Sequence, residues 1–287
     1  MSALVSVLVF ALEAGSVYAL INFGFVYLFR ATGIVSFAQG QIATLGALLA
    51  VELTSACGLA LGLLMTFVIM AVGAVLAYYS VLRLLHGRSE FVRVIATFML
   101  GLVILQVCGL IWGQTSFTLA VQSQAALQAG GYHIPIIAMA DVGGVTVIVL
   151  AAALMMKKTA LGVQFRAFGD DETLAQYRGI PYQRLSAIAW AIAACSALAG
   201  AVLYAETTPV SVGMWTIGLA AFPGAVIGGL NSVAGTLIGS MLVAIVLGFV
   251  SYYYNGTWGD LAAYALMLVA LVLLPNGLLG KRRAARL

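Results

Sequence analysis

Long apolar runs, separated by short polar segments, constrain the fold of this chain more than any other feature. A membrane-spanning helix needs about 20 consecutive, mostly apolar residues. One run, 214–229, is short and contains Pro223 and Gly224 at its middle, so it could either cross a membrane or re-enter it. The runs cover residues 4–29, 34–53, 59–82, 91–112, 140–156, 185–206, 214–229, 232–252 and 260–276.

The composition leaves no room for a separate soluble domain. Only 8% of the residues are charged, whereas soluble domains carry roughly 25%. The polar segments between the runs are at most about 20–30 residues long, too short to bury a core of their own. The sequence therefore predicts an all-α, polytopic transmembrane helix bundle of about eight to nine membrane segments, in a single domain over residues 1–287.

The basic residues predict the orientation of the bundle. All 13 Lys and Arg residues lie in alternate loops: at Arg30, at 83–93, at 157–184 and at 281–286. Because Lys and Arg bias loops toward the cytoplasm, this distribution places the N-terminus outside. Nine crossings would then place the C-terminus inside.

The sequence lacks the motifs of the common membrane-bound enzymes. It contains no G-x-x-x-x-G-K-[ST], no H-E-x-x-H and no G-x-S-x-G. The cysteines and histidines are too scattered to form a ligand set. We therefore expect no catalytic residue, no metal site and no cofactor, and transport by this chain would draw its energy from another protein. The scattered residues are Cys57, Cys108, Cys195, His86 and His133.

Uncharged polar residues within the apolar runs are the candidates for a polar solute's path, because such a path must offer hydrogen bonds. The alternative for each is a hydrogen bond between packed helices. Pairs of glycines four residues apart, at 58/62, 224/228 and 235/239, predict close helix packing around such a path. The candidate path residues are Asn22, Ser36, Gln39, Gln41, Thr97 and Gln106.

The basic loop 157–184 contains the signals of a short helix over residues 170–178. Asp170 is a favourable N-cap, acids follow it in the first turn, and Gly179 suits the position after the helix. Leu174 and Tyr177 are three residues apart and share one face. We expect this helix to dock in a groove of a soluble cytoplasmic partner; the alternative is a solvated connector.

Several stretches of the sequence resemble the branched-chain amino acid permease family of ABC importers. The stretch 159–180, TALGVQFRAFGDDETLAQYRGI, is similar to the cytoplasmic loop that couples such permeases to their ATPases. Further similarity lies in residues 15–49, 94–113, 222–242 and 274–280, so the resemblance runs nearly end to end.

The resemblance implies a bacterial inner-membrane permease subunit with several partners. These are a second, paralogous permease subunit, two ATP-binding cassette subunits and a periplasmic substrate-binding protein, in addition to membrane lipid; no nucleic acid is implied. The resemblance also implies that the coupling loop contacts the ATPase through the residues that match the loop of the family. These residues are Arg166, Asp170, Asp171, Glu172, Leu174, Tyr177, Arg178 and Gly179.

The chain departs from the family in one informative place. Where the family has Asn-Phe-Ala-His-Gly followed by an acid, this chain has Ser36-Phe-Ala-Gln-Gly-Gln41. Neutral amides thus replace a titratable histidine and an acid. The substrate implied is an amino acid or a related small organic acid or amide, with aromatic acids and urea-like solutes also open. The competing interpretations are a sugar-type ABC permease, a stand-alone secondary transporter or channel, and an intramembrane enzyme.

Overall fold

The computed structural model describes residues 2–119, 126–129, 132–170 and 172–280, and these residues form a bundle of α-helices. A two-stranded antiparallel hairpin, β1 (Ala126–Ala129) with β2 (Tyr132–Pro135), lies between the fourth and fifth helices. The described helices are α1 (Ser2–Thr32), α2 (Gln39–Cys57), α3 (Leu59–Ser80), α4 (Glu90–Trp112), α5 (Ile136–Lys158), α6 (Ala160–Asp170), α7 (Glu172–Tyr177), α8 (Tyr182–Thr207), α9 (Thr216–Gly228), α10 (Val233–Tyr253) and α11 (Gly256–Leu273).

The helices confirm the polytopic all-α fold that the apolar runs predict. Within the described part of the chain, α1, α2, α3, α4, α8, α10 and α11 are each long and apolar enough to cross a membrane. Each of the predicted runs corresponds to one helix. The exception in length is α9, whose 13 residues extend over about 20 Å, less than the ~30 Å of a bilayer core.

The bundle is layered around α1 and α8. Of the seven long apolar helices named above, these two are the most buried, and α1 packs along α8, α9 and α10. The spans α3, α4 and α11 lie at the periphery and present large apolar side chains outward, as Leu61, Leu110 and Val272 do. Apolar side chains on the outside of a bundle are what a lipid or protein neighbour in the membrane requires.

The predicted glycine pairs at 224/228 and 235/239 pack α9 and α10 directly against each other. A Cβ atom added at Gly228 would overlap the carbonyl oxygen of Gly235, and one added at Gly239 would overlap that of Gly224. The prediction for the pair 58/62 is wrong in part. Gly62 packs against the backbone of Thr54, but Gly58 forms the turn between α2 and α3, with a φ of +82° and no neighbour within 4 Å.

One end of the bundle collects the described basic loops; we call it the basic end, defined by Arg30 and Arg93. The Arg30 side chain donates to the carbonyl oxygen of Asn231, in the α9–α10 turn. Arg93 Nη1 donates to Thr32 O at 3.0 Å. The segment after α11 returns here too, since the Leu278 amide donates to Ile227 O at 2.8 Å.

At the opposite end, the chain segments that follow α4 and α8 pair with each other. The amide of Phe117 donates to Val210 O, and that of Val210 to Phe117 O, both at 2.8 Å. Trp112 Nε1 also donates to Glu52 Oε2 at 3.0 Å. The chain therefore enters the run 214–229 from this opposite end and leaves α9 at the basic end. The run 214–229 therefore leads from the opposite end to the basic end and does not re-enter.

Candidate functional site

The segment between α1 and α2 turns back into the bundle. Gln39, the first residue of α2, lies against Gly24 of α1, where an added Cβ would overlap Gln39 Nε2. Gly24 is six residues before Arg30, or about 9 Å from the basic end at 1.5 Å per residue. Thr97 Oγ1 of α4 accepts a hydrogen bond from the Phe37 amide at 3.2 Å, which fixes this segment. Helix α2 therefore begins inside the bundle.

Helix α9 also begins inside the bundle, next to the start of α2. A 3-10 turn, Val212–Trp215, leads into it. A Cβ at Gly40 would overlap Trp215 O, and a Cβ at Gly218 would overlap the backbone of Gly40. Asn22 of α1 is at a similar depth, because its Nδ2 donates to Ala221 O at 2.7 Å. The starts of α2 and α9 thus meet inside the bundle, nearer to the basic end than to the opposite end.

A cavity of about 120 Å³ lies where these two helices start. Five of its lining side chains are aromatic, and Phe222 contacts two of the others, with ring centroids 5.6 Å from Phe25 and 5.8 Å from Phe37. None of the described lining residues is charged. The lining consists of Phe25, Phe37, Gly40, Gln41, Phe98, Trp215, Gly218, Leu219 and Phe222.

Gln41 brings an amide to this largely aromatic cavity. The residue is only 3% exposed, and its Oε1 has no hydrogen-bond partner among the described residues. Its side chain lies over Gly101 of α4, where an added Cβ would be 3.0 Å from both Cδ and Oε1. Oε1 therefore lies against α4 at Gly101, which is not part of the cavity lining, as a buried polar atom without a partner among the described residues.

The start of α2 adds backbone donors to the same place. The first N–H groups of a helix have no partner within the helix and carry a partial positive charge. At Ala38, which precedes α2, no side chain caps them. The backbone N–H groups of the first turn and the Gln41 amide thus lie within one turn of helix.

The structure separates the six predicted path residues. Gln41 lines the cavity. Gln39 is two positions earlier, about 200° around the helix, and faces α1 and α8. Neither amide atom of Gln39 has a hydrogen-bond partner among the described residues. Asn22 Nδ2 donates hydrogen bonds to Ala221 O and to Ser240 Oγ. Asn22 thus makes hydrogen bonds between packed helices, the alternative to a place on the solute path. Ser36 Oγ accepts a hydrogen bond from the Ala38 amide, and Thr97 Oγ1 accepts one from the Phe37 amide. Gln106 is exposed on α4.

Sequence reasoning missed the aromatic lining. Phe25, Phe98, Trp215 and Phe222 come from three different apolar runs, and such residues are ordinary in any membrane helix. The pair Pro223–Gly224 marked the run 214–229 as unusual, but α9 continues through both residues. The break at the start of α2 left no signal beyond the turn residues near Gly33.

A second region, on the basic end, is the loop that contains α6 and α7. Phe165 of α6 is fully buried and meets the ring of Tyr27 edge-on at 5.6 Å. Phe168 stacks on Tyr182 of α8 at 5.1 Å. The Arg166 side chain donates to Met156 O in α5. These contacts attach α6 firmly to the bundle.

The expected start of the coupling helix is wrong. Asp170 is the last residue of α6 and not an N-cap, and α7 (Glu172–Tyr177) has six residues where about eight were expected. The reason is the apolar stripe of α6, since burial of Phe165 and Phe168 keeps the chain helical up to Asp170. Asp171 lies outside the described residues.

The expected end of the coupling helix is confirmed. Gly179 has a φ of +79°, which suits glycine. The Ile180 amide donates to Ala175 O at 3.1 Å and the Gly179 amide to Gln176 O at 2.9 Å, the pattern of a Schellman cap, and Arg178 lies in the turn before Gly179.

The two side chains expected to dock are exposed at the basic end. Leu174 is 56% exposed and Tyr177 is 85% exposed, while the intervening Ala175 is buried. Large apolar or aromatic side chains held outward by a capped helix are suited to contact with another protein.

Comparison with known proteins gives consistent matches over nearly the whole chain. A family described as "Branched-chain amino acid transport system / permease component" matches residues 7–271. The chain is 25% identical over 299 residues to the high-affinity branched-chain amino acid transport system permease protein BraD of Pseudomonas aeruginosa, covering 96% of this chain and 95% of BraD. It is 25% identical over 287 residues to LivH of Escherichia coli K12, covering 93% and 92%.

A solved structure, PsaBC from Streptococcus pneumoniae in complex with Fab, is similar over 96% of this chain and 93% of that chain. The sequence identity is 16% and the TM-score is 0.49.

Proposed function

This chain belongs to the family of permease components of branched-chain amino acid transport systems, and we propose that it is the membrane-spanning, non-catalytic subunit of an ABC importer. It lies in the membrane as a multi-pass helix bundle. Its sequence contains no nucleotide-binding motif of the G-x-x-x-x-G-K-[ST] type. The free energy for transport therefore comes from partner subunits.

The observation that carries the proposal is the α6–α7 segment at the basic end. Helix α6 is held by buried aromatic contacts, so a force applied to α7 is transmitted to α1 and α8 through Phe165 and Phe168. Helix α7 presents Leu174 and Tyr177 outward. A rigid attachment with an exposed apolar tip is what coupling to a soluble ATPase requires.

The assembly follows from this role. Two ATP-binding cassette subunits bind the basic end, which faces the cytoplasm because Lys and Arg favour that side. A second, paralogous permease subunit completes the translocation path, and a periplasmic binding protein delivers the solute at the opposite end. The membrane is a bacterial inner membrane. The solute is an amino acid or a related small organic acid or amide.

Reconstitution with and without the partners tests the proposal. The purified chain alone should neither bind nor hydrolyse ATP. Proteoliposomes that contain the assembled transporter, with the binding protein outside, should accumulate radiolabelled solute only when hydrolysable ATP is inside. The labelled solutes are L-leucine, L-phenylalanine and urea. Accumulation of any of them by this chain alone, driven by a proton or sodium gradient, would identify a stand-alone secondary transporter instead.

A further inference from the structure

We propose that the cleft between α7 and the loop that follows α3 binds the headgroup of an anionic phospholipid from the leaflet at the basic end. The proposal goes beyond the proposed function and needs only that the bundle lies in a membrane. The cleft has a volume of about 490 Å³, which is in the range of pockets for small molecules. Its described lining residues are Tyr79, His86, Gln176, Gly179, Ile180, Pro181, Tyr182, Gln183 and Arg184.

Two membrane spans end at this cleft, which places it at the level of the lipid headgroups. Tyr79 is the second-last residue of the span Leu59–Ser80, and Tyr182 is the first residue of the span Tyr182–Thr207. Tyrosine is enriched at the membrane–water interface, because its ring is apolar and its hydroxyl group is polar. The ring centroids of His86 and Tyr182 are 4.2 Å apart, so the loop after α3 closes one side of the cleft.

The surroundings of the cleft are basic. Arg184 lines it directly, and the guanidinium group of Arg83 lies 5.9 Å from the centroid of the Tyr79 ring. None of the described lining residues is acidic. The two wall segments, 79–90 and 176–184, contain four arginines and one acid. Arginine binds phosphate through two parallel hydrogen bonds, and basic clefts at the cytoplasmic ends of membrane helices bind anionic headgroups.

An apolar stripe on α3 leads along the bundle to the cleft. Its large side chains are exposed and recur every three or four residues, so they lie on one face of the helix. The stripe ends at Tyr79, which lines the cleft. The same face therefore offers an apolar track for an acyl chain and, at its end, a basic cleft for the phosphate. The members of the stripe are Leu61, Met65, Val68, Val72, Leu76 and Tyr79.

This combination favours a lipid over the ATPase as the occupant of the cleft. Leu174 and Tyr177, which α7 presents for docking, do not belong to the described lining. A soluble protein would have to reach the headgroup level of the membrane to fill the cleft, whereas a lipid is already there. A zwitterionic headgroup would bring its own cation beside the arginines. The headgroup that fits is therefore an anionic phosphodiester such as that of phosphatidylglycerol.

Photocrosslinking on the assembled transporter tests the site. The transporter is reconstituted in nanodiscs of equimolar dioleoylphosphatidylglycerol and dioleoylphosphatidylcholine, with Leu76→p-benzoyl-L-phenylalanine as the crosslinker one turn before Tyr79. The lipid adducts of this chain are identified by mass spectrometry, and the ratio of the two lipids is compared with that of the nanodisc. The matched position is Leu61→p-benzoyl-L-phenylalanine on the same stripe, 15 residues and so about 22 Å closer to the opposite end.

The proposal predicts enrichment of phosphatidylglycerol at position 76 alone. The enrichment there should be at least about fivefold, since each arginine near the membrane surface favours an anionic lipid by about that factor. The adduct at position 61 should have the lipid ratio of the nanodisc. That same ratio at position 76 would overturn the proposal. Enrichment in the permease alone that disappears when the ATPases bind would also overturn it, because the ATPase would then occupy the cleft.

Arginine variants separate the cleft from a general attraction of anionic lipid. Arg184→Gln and Arg83→Gln should each lower the enrichment at position 76 severalfold. The matched control Arg178→Gln removes the same charge from an exposed side chain of the neighbouring turn that is not part of the described lining, and it should keep the wild-type enrichment. An equal loss in all three variants, or a loss in none, would overturn the assignment.

A soluble competitor separates a lipid site from a site for a free anion. Inorganic phosphate in the buffer should leave the enrichment at position 76 unchanged, because it lacks the acyl chains that contact the stripe on α3. Enrichment that inorganic phosphate abolishes would overturn the lipid assignment. Because crosslinking needs no ATP, failure of ATP-driven uptake would contradict the proposed function and leave this result standing.

Discussion

The α7 segment and the cavity at the start of α2 are organised in opposite ways. Helix α7 and its cap are formed by consecutive residues, 172–180, and its two large side chains are exposed. The cavity is formed by residues of four different helices and two connecting segments, and its one amide is buried. The first region can change without disturbing the bundle, whereas the second depends on the packing of the entire bundle. Substitutions should therefore affect coupling in the first region and folding or selectivity in the second.

The largest expected effect is a failure to fold on Gly228→Leu. The added side chain would overlap the carbonyl oxygen of Gly235, and neither backbone can move without separating α9 from α10. The cost should be well above the roughly 1–3 kcal/mol of ordinary overpacking. Fluorescence-detected size-exclusion chromatography should show no monodisperse peak. The matched control is Gly73→Leu on α3, where an added Cβ has no neighbour within 4 Å, and its peak should be that of the wild type. Equal peaks for both variants would refute the α9–α10 contact.

A smaller loss of stability is expected for Asn22→Leu. The substitution removes the hydrogen bonds from Asn22 Nδ2 to Ala221 O, at 2.7 Å, and to Ser240 Oγ, at 2.9 Å. Hydrogen bonds between membrane helices contribute about 0.6–2 kcal/mol each. The free energy of unfolding in mild denaturing detergent should fall by about 1–3 kcal/mol, while binding of the ATPase remains normal. An unchanged free energy of unfolding would contradict a stabilising role for these two hydrogen bonds.

The smallest expected effect belongs to Gly179→Ala. Alanine at a φ of +79° costs about 1–2 kcal/mol, and the cost falls on the Schellman cap of α7. ATP-driven uptake should fall several-fold, since each 1.4 kcal/mol corresponds to about a factor of ten when docking requires the intact cap. The thermal stability of the purified chain should not change. A drop in thermal stability with normal uptake would place Gly179 in the fold and not in coupling.

The sequence predicted the features that adjacent residues determine. The apolar runs predicted α1 to α5 and α8 to α11, and Gly179 predicted the end of α7, whereas α6 was not predicted. The start of α7 could not be read from Asp170, because burial of Phe165 and Phe168 against Tyr27 and Tyr182 outweighs a local capping preference. Gln41 was among the path candidates, but its separation from Gln39 depends on which side of α2 faces the bundle. Only tertiary packing determines that side.

The contact between α7 and the ATPase is the central element of the account, and the double substitution Leu174→Ala with Tyr177→Ala tests it most directly. The two side chains are the exposed apolar face of α7, and truncating anchors of this kind in an interface can cost more than about 2 kcal/mol. The control is Gln176→Ala, which lies on the same helix and away from that face.

The decisive quantity is the ratio of ATPase to permease after affinity purification of each variant. For the double variant we expect a ratio far below that of the wild type, no ATP-driven uptake and a normal monodisperse peak for the permease itself; for Gln176→Ala we expect the wild-type ratio. A wild-type ratio with normal uptake in the double variant would show that α7 is a solvated connector, and the account of coupling would be wrong.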